Sequence, residues 1–259
     1  MRPCALFAST ALLVTLAGAP APAWAMHALA HRGADNARVD ENTIDALERA
    51  HRLSAWSEAD TFLTSDGVPV VIHDARLDRT TDCTGAVADW TAAEIRGECR
   101  TEHGDVVPTW REYARTLADN RGQRVNLEVK GRGWFADGAA EIVALRDIAE
   151  RADVLRRVYF SEDATLDLLE AFRDHAPDAR TAWKPASGDV DLGDARRLSV
   201  DAIMAPPGYW TAGRVEATAD AGFRPWARKV NTEGAWDRMR DMGVRAALTD
   251  HPGWELARR

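Results

Sequence analysis

An alternation limits how this chain can fold more than any other feature. Short runs of strand-forming residues recur along it, and most are followed by a stretch with helical periodicity. The strand-like runs are 28–31, 56–61, 69–73, 125–129, 157–160, 180–184, 202–204, 224–230 and 246–249. Helical patterns cover 42–53, where Ile44, Leu47 and Ala50 follow a capping Thr43, and then 139–152, 164–172, 211–221 and 233–242. Parallel strands need a long crossover, usually a helix, so strand-then-helix repeated roughly eight times predicts an α/β fold, a TIM (β/α)8 barrel. An open doubly wound sheet is the alternative that the same alternation permits, and strand order separates the two. With 259 residues, 46% hydrophobic and 29% charged, and no linker-like tract after residue 26, a single domain is expected. The stretch from Pro69 to Pro108 departs from the pattern. It holds a hairpin-like return strand and two cysteines, which makes a long loop after the second strand that covers part of the barrel mouth.

Residues 1–25 read differently. Arg2 supplies a basic start, 5–17 is a nearly unbroken small and apolar run, and Ala23-Trp24-Ala25 has the small-x-small form of a signal-peptidase site. A signal peptide over 1–25 and a domain over 26–259 are therefore expected, with export to the periplasm or medium. The apolar run falls short of the ~20 residues that span a bilayer, so stable membrane insertion is not expected. In an oxidising compartment Cys83 and Cys99, set among polar neighbours, are better explained as a disulfide across a surface loop than as a metal pair. A net charge of −8 gives no electrostatic footprint for nucleic acid and favours a small-molecule partner. The sequence carries no signature of oligomeric state.

In a strand, residues two apart point to the same side, so Glu58 and Asp60 present two carboxylates together at the end of the second strand. Glu128 and Lys130 repeat that spacing on another strand. Three such carboxylates suit one hard divalent cation. Taken alone each pair is weak, because acidic residues at strand ends are commonly solvated or salt-bridged, and Lys130 has a partner in Glu128 or Glu58 without any substrate. His31 and His73 each end an apolar run, which places both imidazoles at the C-terminal rim of a barrel, where they can divide general base and general acid work. Arg32 and Lys130 supply the positive charge that an attacked phosphodiester needs, and Gly33 lets the backbone turn after Arg32. The other histidines, His27, His51, His103, His175 and His251, lack this placement and are read as surface or packing residues.

These residues, in this order, closely resemble the glycerophosphodiester phosphodiesterase family. The matching strings are His31-Arg32-Gly33, Glu41-Asn42-Thr43, Glu58-x-Asp60 leading through Thr64-Ser65-Asp66-Gly67 to His73-Asp74, and Leu77-Asp78-Arg79-Thr80-Thr81. Val107-Pro108-Thr109, Asn126-Leu127-Glu128-Val129-Lys130, Trp226, Asn231-Thr232 and Thr249-Asp250-x-Pro252 follow. The resemblance covers nearly all of the chain after residue 26. It implies a TIM barrel in which His31 and His73 act as base and acid, and Glu58, Asp60 and Glu128 hold one divalent cation, Ca2+ or Mg2+. Arg32 and Lys130 would grip the phosphate, while Glu41 braces Arg32 or reaches the glycerol end. The implied substrate is a small glycerophosphodiester, cleaved to sn-glycerol 3-phosphate and an alcohol.

Two departures stand out. Ala55-Trp56-Ser57 replaces the Gly-Ala-Asp of many relatives, and Thr61 follows the metal carboxylates where an apolar residue is common. Trp226 has two readings, a barrel-filling aromatic or, as the resemblance favours, a rim residue touching substrate. Trp183, Lys184, Tyr209 and Trp210 follow other strands and are candidates for a leaving-group pocket. The competing functions are a barrel phospholipase, of the lysophospholipase D, sphingomyelinase D or phosphatidylinositol phospholipase C kind, and a non-catalytic ligand-binding barrel. The first needs an apolar approach for an acyl chain, and the second would be favoured by loss of a histidine or carboxylate; all five are present.

Overall fold

Strand pairing runs from neighbour to neighbour until it returns to its start. The computed structural model describes residues 26–33, 39–130, 139–162, 166–185 and 190–254. β1 (His27–Ala30) lies parallel to β2 (Trp56–Leu63) on one side and to β9 (Ala246–Thr249) on the other. From β9 the order continues through β8 (Arg224–Ala227), β7 (Ala202–Ala205), β6 (Arg180–Trp183), β5 (Val158–Glu162) and β4 (Val125–Val129), which pairs β2. The β1–β2 pairing closes an eight-stranded parallel barrel and excludes the open sheet. β3 (Pro69–Val71) is the return strand, antiparallel to the far end of β2.

Helices α1 (Ile44–Arg52), α3 (Trp110–Asp119), α4 (Ala140–Arg151), α5 (Asp167–His175), α6 (Leu192–Arg197), α7 (Ala212–Asp220) and α8 (Glu233–Asp241) make the crossovers, and α2 (Ala92–Glu98) belongs to the long connection. Threonine starts many of them. Thr43, Thr91, Thr109, Thr211 and Thr232 each accept a backbone N–H of the first turn, and Glu94 and Glu112 complete capping boxes at α2 and α3. The sequence patterns do not single out α2, α3 or α6. Two of these are a turn or two long, and α3 interleaves its apolar face with Arg111, Glu112 and Arg115. None of the helices is long and apolar enough to cross a membrane, among the described residues.

Alternation sorts each barrel strand. In β4, Val125, Leu127 and Val129 pack outward with Leu117 and Leu145, leaving Asn126 and Glu128 for the interior. The barrel interior itself is filled by Leu29, Tyr159, Met204, Trp226 and Leu248, with Ala182, Ala202 and Ala246 making room for the large rings. The long connection has its own small core, in which Val70, Ile72, Leu77 and Ile95 surround Cys99. Cys83 and Cys99 are disulfide-bonded, as the sequence suggests, with Cα atoms 5.4 Å apart. The departures near β2 are locally satisfied: Thr61 donates its hydroxyl to the Val70 carbonyl at 2.9 Å, and the Ser57 hydroxyl pairs with that of Tyr113 at 2.9 Å.

The chain leaves β1 through a left-handed pair, Arg32 at φ 52° and Gly33 at φ 84°. A Cβ on Gly33 would lie 2.8 Å from the Ala46 Cβ and 3.1 Å from the Ala46 carbonyl carbon, so the close approach of α1 requires glycine here. Gly33→Ala should therefore destabilise the fold by about 2–4 kcal/mol, through strain at positive φ and overpacking against α1. A matching fall in the urea midpoint, at unchanged m-value, is the measurement.

Candidate active site

The β2–β4 register sets Asp60 beside Glu128 and Glu58 beside Asn126. Since Glu58, Asp60 and Glu128 all point inward at the C-terminal end of the barrel, their carboxylates gather within 4.8 Å of one another, all buried. Burial first, and then the charges of Asp60 and Glu128, raise the Glu58 carboxyl well above its ordinary range. Among the described residues the Arg32 backbone N–H, at 2.8 Å, is the donor to Glu58. Asn42, itself in a left-handed turn, clamps Asp60 at both ends: its amide donates to Oδ2 and its Oδ1 accepts the Asp60 N–H, each at 3.0 Å.

Two lysines answer this charge. Lys130 Nζ stands 2.9 Å from Glu128 Oε1 and 3.3 Å from Asp60 Oδ1, and the buried Lys184 ammonium pairs with Glu128 Oε2. Burial opposes ionisation of Glu128, but Lys184 and Lys130 together hold its carboxyl below the usual range. Of the two partners considered for Lys130 from sequence, it takes Glu128 rather than Glu58.

Both predicted imidazoles open on the same cavity of about 370 Å³, which Arg32, Lys130 and Lys184 also line. Each is anchored through Nδ1 on a carboxylate, His31 on Asp250 at 2.7 Å and His73 on Asp74 at 2.6 Å, which leaves Nε2 as the working nitrogen. Lys130 Nζ lies 3.3 Å from His73 Nε2. Burial lowers His31 below 6.5, and the bond and charge of Asp250 offset this only in part, so His31 is neutral near pH 7 and suited to accept a proton.

Behind these groups runs a chain of ion pairs. Glu41 receives Arg32 Nη1 at 3.0 and 3.1 Å and both Arg79 terminal nitrogens, at 2.7 and 3.0 Å; Arg79 Nε then pairs with Asp74, the anchor of His73. Glu41 thus braces Arg32, the first of its two expected roles. The Arg79 bond is the main reason the Asp74 carboxyl is held down at about 2. Sequence reasoning noted Asp74 as the polar neighbour of His73 but gave Arg79, Asn231 and Asp250 no role, although all four lie in the matching strings. Asn231 steadies Asp250 by pairing with its carboxylate and by accepting its backbone N–H at 2.9 Å.

Trp226 does not reach this cavity. It is fully buried in the barrel interior, edge-on to Tyr159 at 4.7 Å and to Trp56 at 6.0 Å, so the barrel-filling reading replaces the rim reading. Trp183 and Trp210 are buried in the layer between strands and helices, and Trp210 donates to the Trp226 carbonyl; of that candidate group, Lys184 lines the cavity. His103 pairs with Asp40 beside a separate hollow of about 660 Å³ on the other side of Glu41 and Arg79.

A buried cluster of three carboxylates, facing an anchored imidazole pair and an arginine, defines a phosphodiester-cleaving barrel hydrolase. Residues 31–254 match the Glycerophosphoryl diester phosphodiesterase family, and the chain belongs to that family. It is 42% identical over 239 residues to a glycerophosphodiester phosphodiesterase of Caldanaerobacter subterraneus subsp. tengcongensis, covering 86% of this chain and 93% of that one. A Bacillus subtilis glycerophosphodiester phosphodiesterase is 45% identical over 250 residues, covering 86% and 83%. In fold the chain matches a phosphodiesterase of Oleispira antarctica, solved in complex with the product sn-glycerol-3-phosphate, at TM-score 0.75 and 23% identity over 89% of this chain and 95% of that one. A glycerophosphodiester phosphodiesterase from Parabacteroides distasonis matches at TM-score 0.77 and 22% identity, over 90% and 96%.

Because Asp250 raises the His31 pKa against burial, Asp250→Asn should move the acid limb of kcat/KM to lower pH. The same change should cut kcat by about 10²- to 10⁴-fold through loss of the anchored tautomer. A pH–rate profile of both forms is the check, and an acid limb of the unsubstituted enzyme above pH 6.5 would contradict the assignment of His31 as base.

Proposed function

We propose that this protein hydrolyses glycerophosphodiesters to sn-glycerol 3-phosphate and an alcohol, with His31 as general base and His73 as general acid. The observation that carries the reading is the shared cavity, in which two carboxylate-anchored imidazoles meet the Glu58, Asp60 and Glu128 cluster. An oxygen nucleophile passes its proton to His31 Nε2 as it bonds to phosphorus: water gives sn-glycerol 3-phosphate directly, whereas the glycerol 2-hydroxyl gives a cyclic phosphate that a second, water-consuming step opens. The P–O bond to the alcohol breaks, and His73, oriented through Nδ1 by Asp74, supplies the leaving oxygen with a proton. Arg32, braced by Glu41, and Lys130 hold the phosphate oxygens as their charge grows.

The acidic cluster fits a metal. Glu58 is forced toward protonation unless positive charge arrives, and three carboxylates supply the hard oxygen donors that Ca2+ or Mg2+ requires. When bound at Glu58, Asp60 and Glu128, such a cation would offset the negative charge that develops on the phosphate. The cavity volume of about 370 Å³ and its charged lining suit a head-group-sized diester rather than an acyl chain, which argues against the phospholipase reading.

We also place the mature enzyme outside the cytoplasm. The signal-like residues 1–25 and the Cys83–Cys99 disulfide both support an oxidising compartment. N-terminal sequencing of the exported protein should then begin near residue 26.

Purified enzyme should release sn-glycerol 3-phosphate from glycerophosphocholine, lose the activity in EDTA and regain it with Ca2+ or Mg2+. His31→Ala and His73→Ala should each lower kcat by about 10²- to 10⁴-fold. Full turnover in EDTA would remove the metal from the reading, and unchanged turnover in both variants would remove the acid–base pair.

A further inference from the structure

Positive charge gathers at the N-terminal mouth of the barrel, the end opposite the catalytic residues. Trp56 opens β2, Arg124 precedes β4, Arg180 opens β6 and Arg224 opens β8, all around Tyr159 of β5. Trp56, Arg124, Tyr159 and Arg224 line a cavity of about 570 Å³, with Arg245 also on its wall. Tyr159 is buried, and its hydroxyl accepts from Arg224 Nη1 at 2.8 Å and from Arg180 Nη1 at 3.2 Å. Those two bonds occupy the lone pairs of a neutral phenol, which cancels neither charge.

Aromatic rings hold the guanidiniums in place. Arg124 lies 5.3 Å from the Trp56 ring, and Arg180 and Arg224 lie 5.6 and 6.0 Å from that of Tyr159. Arg180 and Arg224 each spend Nη1 on the Tyr159 hydroxyl, and Arg124 spends Nη1 on the Arg156 carbonyl at 3.3 Å, while the ring contacts themselves use none of the remaining N–H edge that recognises anions. No carboxylate does consume it: among the described residues, Arg124, Arg180 and Arg224 have none within 4.0 Å. Asp201 attracts Arg180 and Arg224 from further away, but its carboxylate accepts the Thr181 N–H at 3.0 Å. Burial, reinforced by Arg180 and Arg224, lowers Arg124 from the usual arginine range, as expected of a cation among cations.

We infer that this mouth binds a phosphate dianion, gripped by Arg124 and Arg224 while Arg180 and Arg245 add charge. A tetrahedral dianion has enough acceptor oxygens for several guanidinium forks, which a single carboxylate lacks. The phosphate is that of a soluble ester or of a lipid head group. The site stands apart from the hydrolytic one and does not depend on it.

Phenylglyoxal labelling of the full chain in EDTA, read at each arginine by mass spectrometry, tests this. Inorganic phosphate should slow labelling of Arg124 and Arg224 by about tenfold, the scale of a lost or gained charge-assisted hydrogen bond. The protection should persist in Arg32→Gln, whose catalytic pocket has lost the guanidinium at the end of β1. Calorimetry should find this phosphate site missing in Arg124→Gln/Arg224→Gln, while glycerophosphocholine hydrolysis continues. Protection by vesicles carrying phosphatidic acid, where inorganic phosphate gives none, would assign the phosphate to a lipid. Labelling of Arg124 and Arg224 unchanged by either probe would overturn the proposal.

Discussion

Everything at the catalytic end of this barrel answers to one electrostatic fact: three carboxylates are buried within 4.8 Å of one another. Like charges in a poorly solvated place repel strongly, so such a cluster persists only with cations supplied around it. Lys130 and Lys184 deliver two from the ends of β4 and β6, and Arg32 adds a third charge at 3.9 Å from Asp60. Glu58 is left with a backbone N–H and the strongest push toward protonation. Together the three carboxylates form a cluster able to hold a metal ion.

The same charges tie the molecule together mechanically. Arg79, on the connection after β3, reaches Glu41, which precedes α1, and Glu41 in turn holds Arg32 at the end of β1. One guanidinium therefore links the anchor of His73 to the brace of Arg32, and two catalytic groups from separate loops share a support. The Cys83–Cys99 bond lies in that same connection; closing a sixteen-residue loop removes about 3 kcal/mol of unfolded-state entropy, in the chain-entropy model. Holding reacting groups in place is worth far more to a phosphoryl-cleaving site than any single contact.

How much of this was legible in the sequence follows from distance along the chain. Glu58 with Asp60, and Glu128 with Lys130, could be read because the two-residue period of a strand is fixed by covalent geometry. His31 and His73 could be read because each follows an apolar run. Their supports differ: Asp74 directly follows His73, but Asp250 is 219 positions from His31, and Arg79 meets Glu41 across 38 positions of chain. Trp226 misled because strands of a closed barrel are buried on both faces, so local pattern does not tell a residue's depth along the barrel axis. Two positions further on, Arg228 does line the cavity, while Trp226 sits one layer beneath it.

That layer has a consequence for the whole molecule. Met204, Trp226 and Leu248, with Tyr159 beneath them, fill the barrel between its ends, so the two mouths do not communicate through a channel. Each mouth can then carry a charge pattern of its own: carboxylates answered by lysines at the C-terminal end, guanidiniums around a phenol at the other. Strand direction decides which is which. Residues at strand ends serve the reaction, and residues at strand starts, such as Arg180 and Arg224, are free of its demands. A chain with an overall charge of −8 has no general reason to collect arginines in one cavity. Asp201 offsets part of the self-repulsion there, and the phosphate dianion that we propose would offset more.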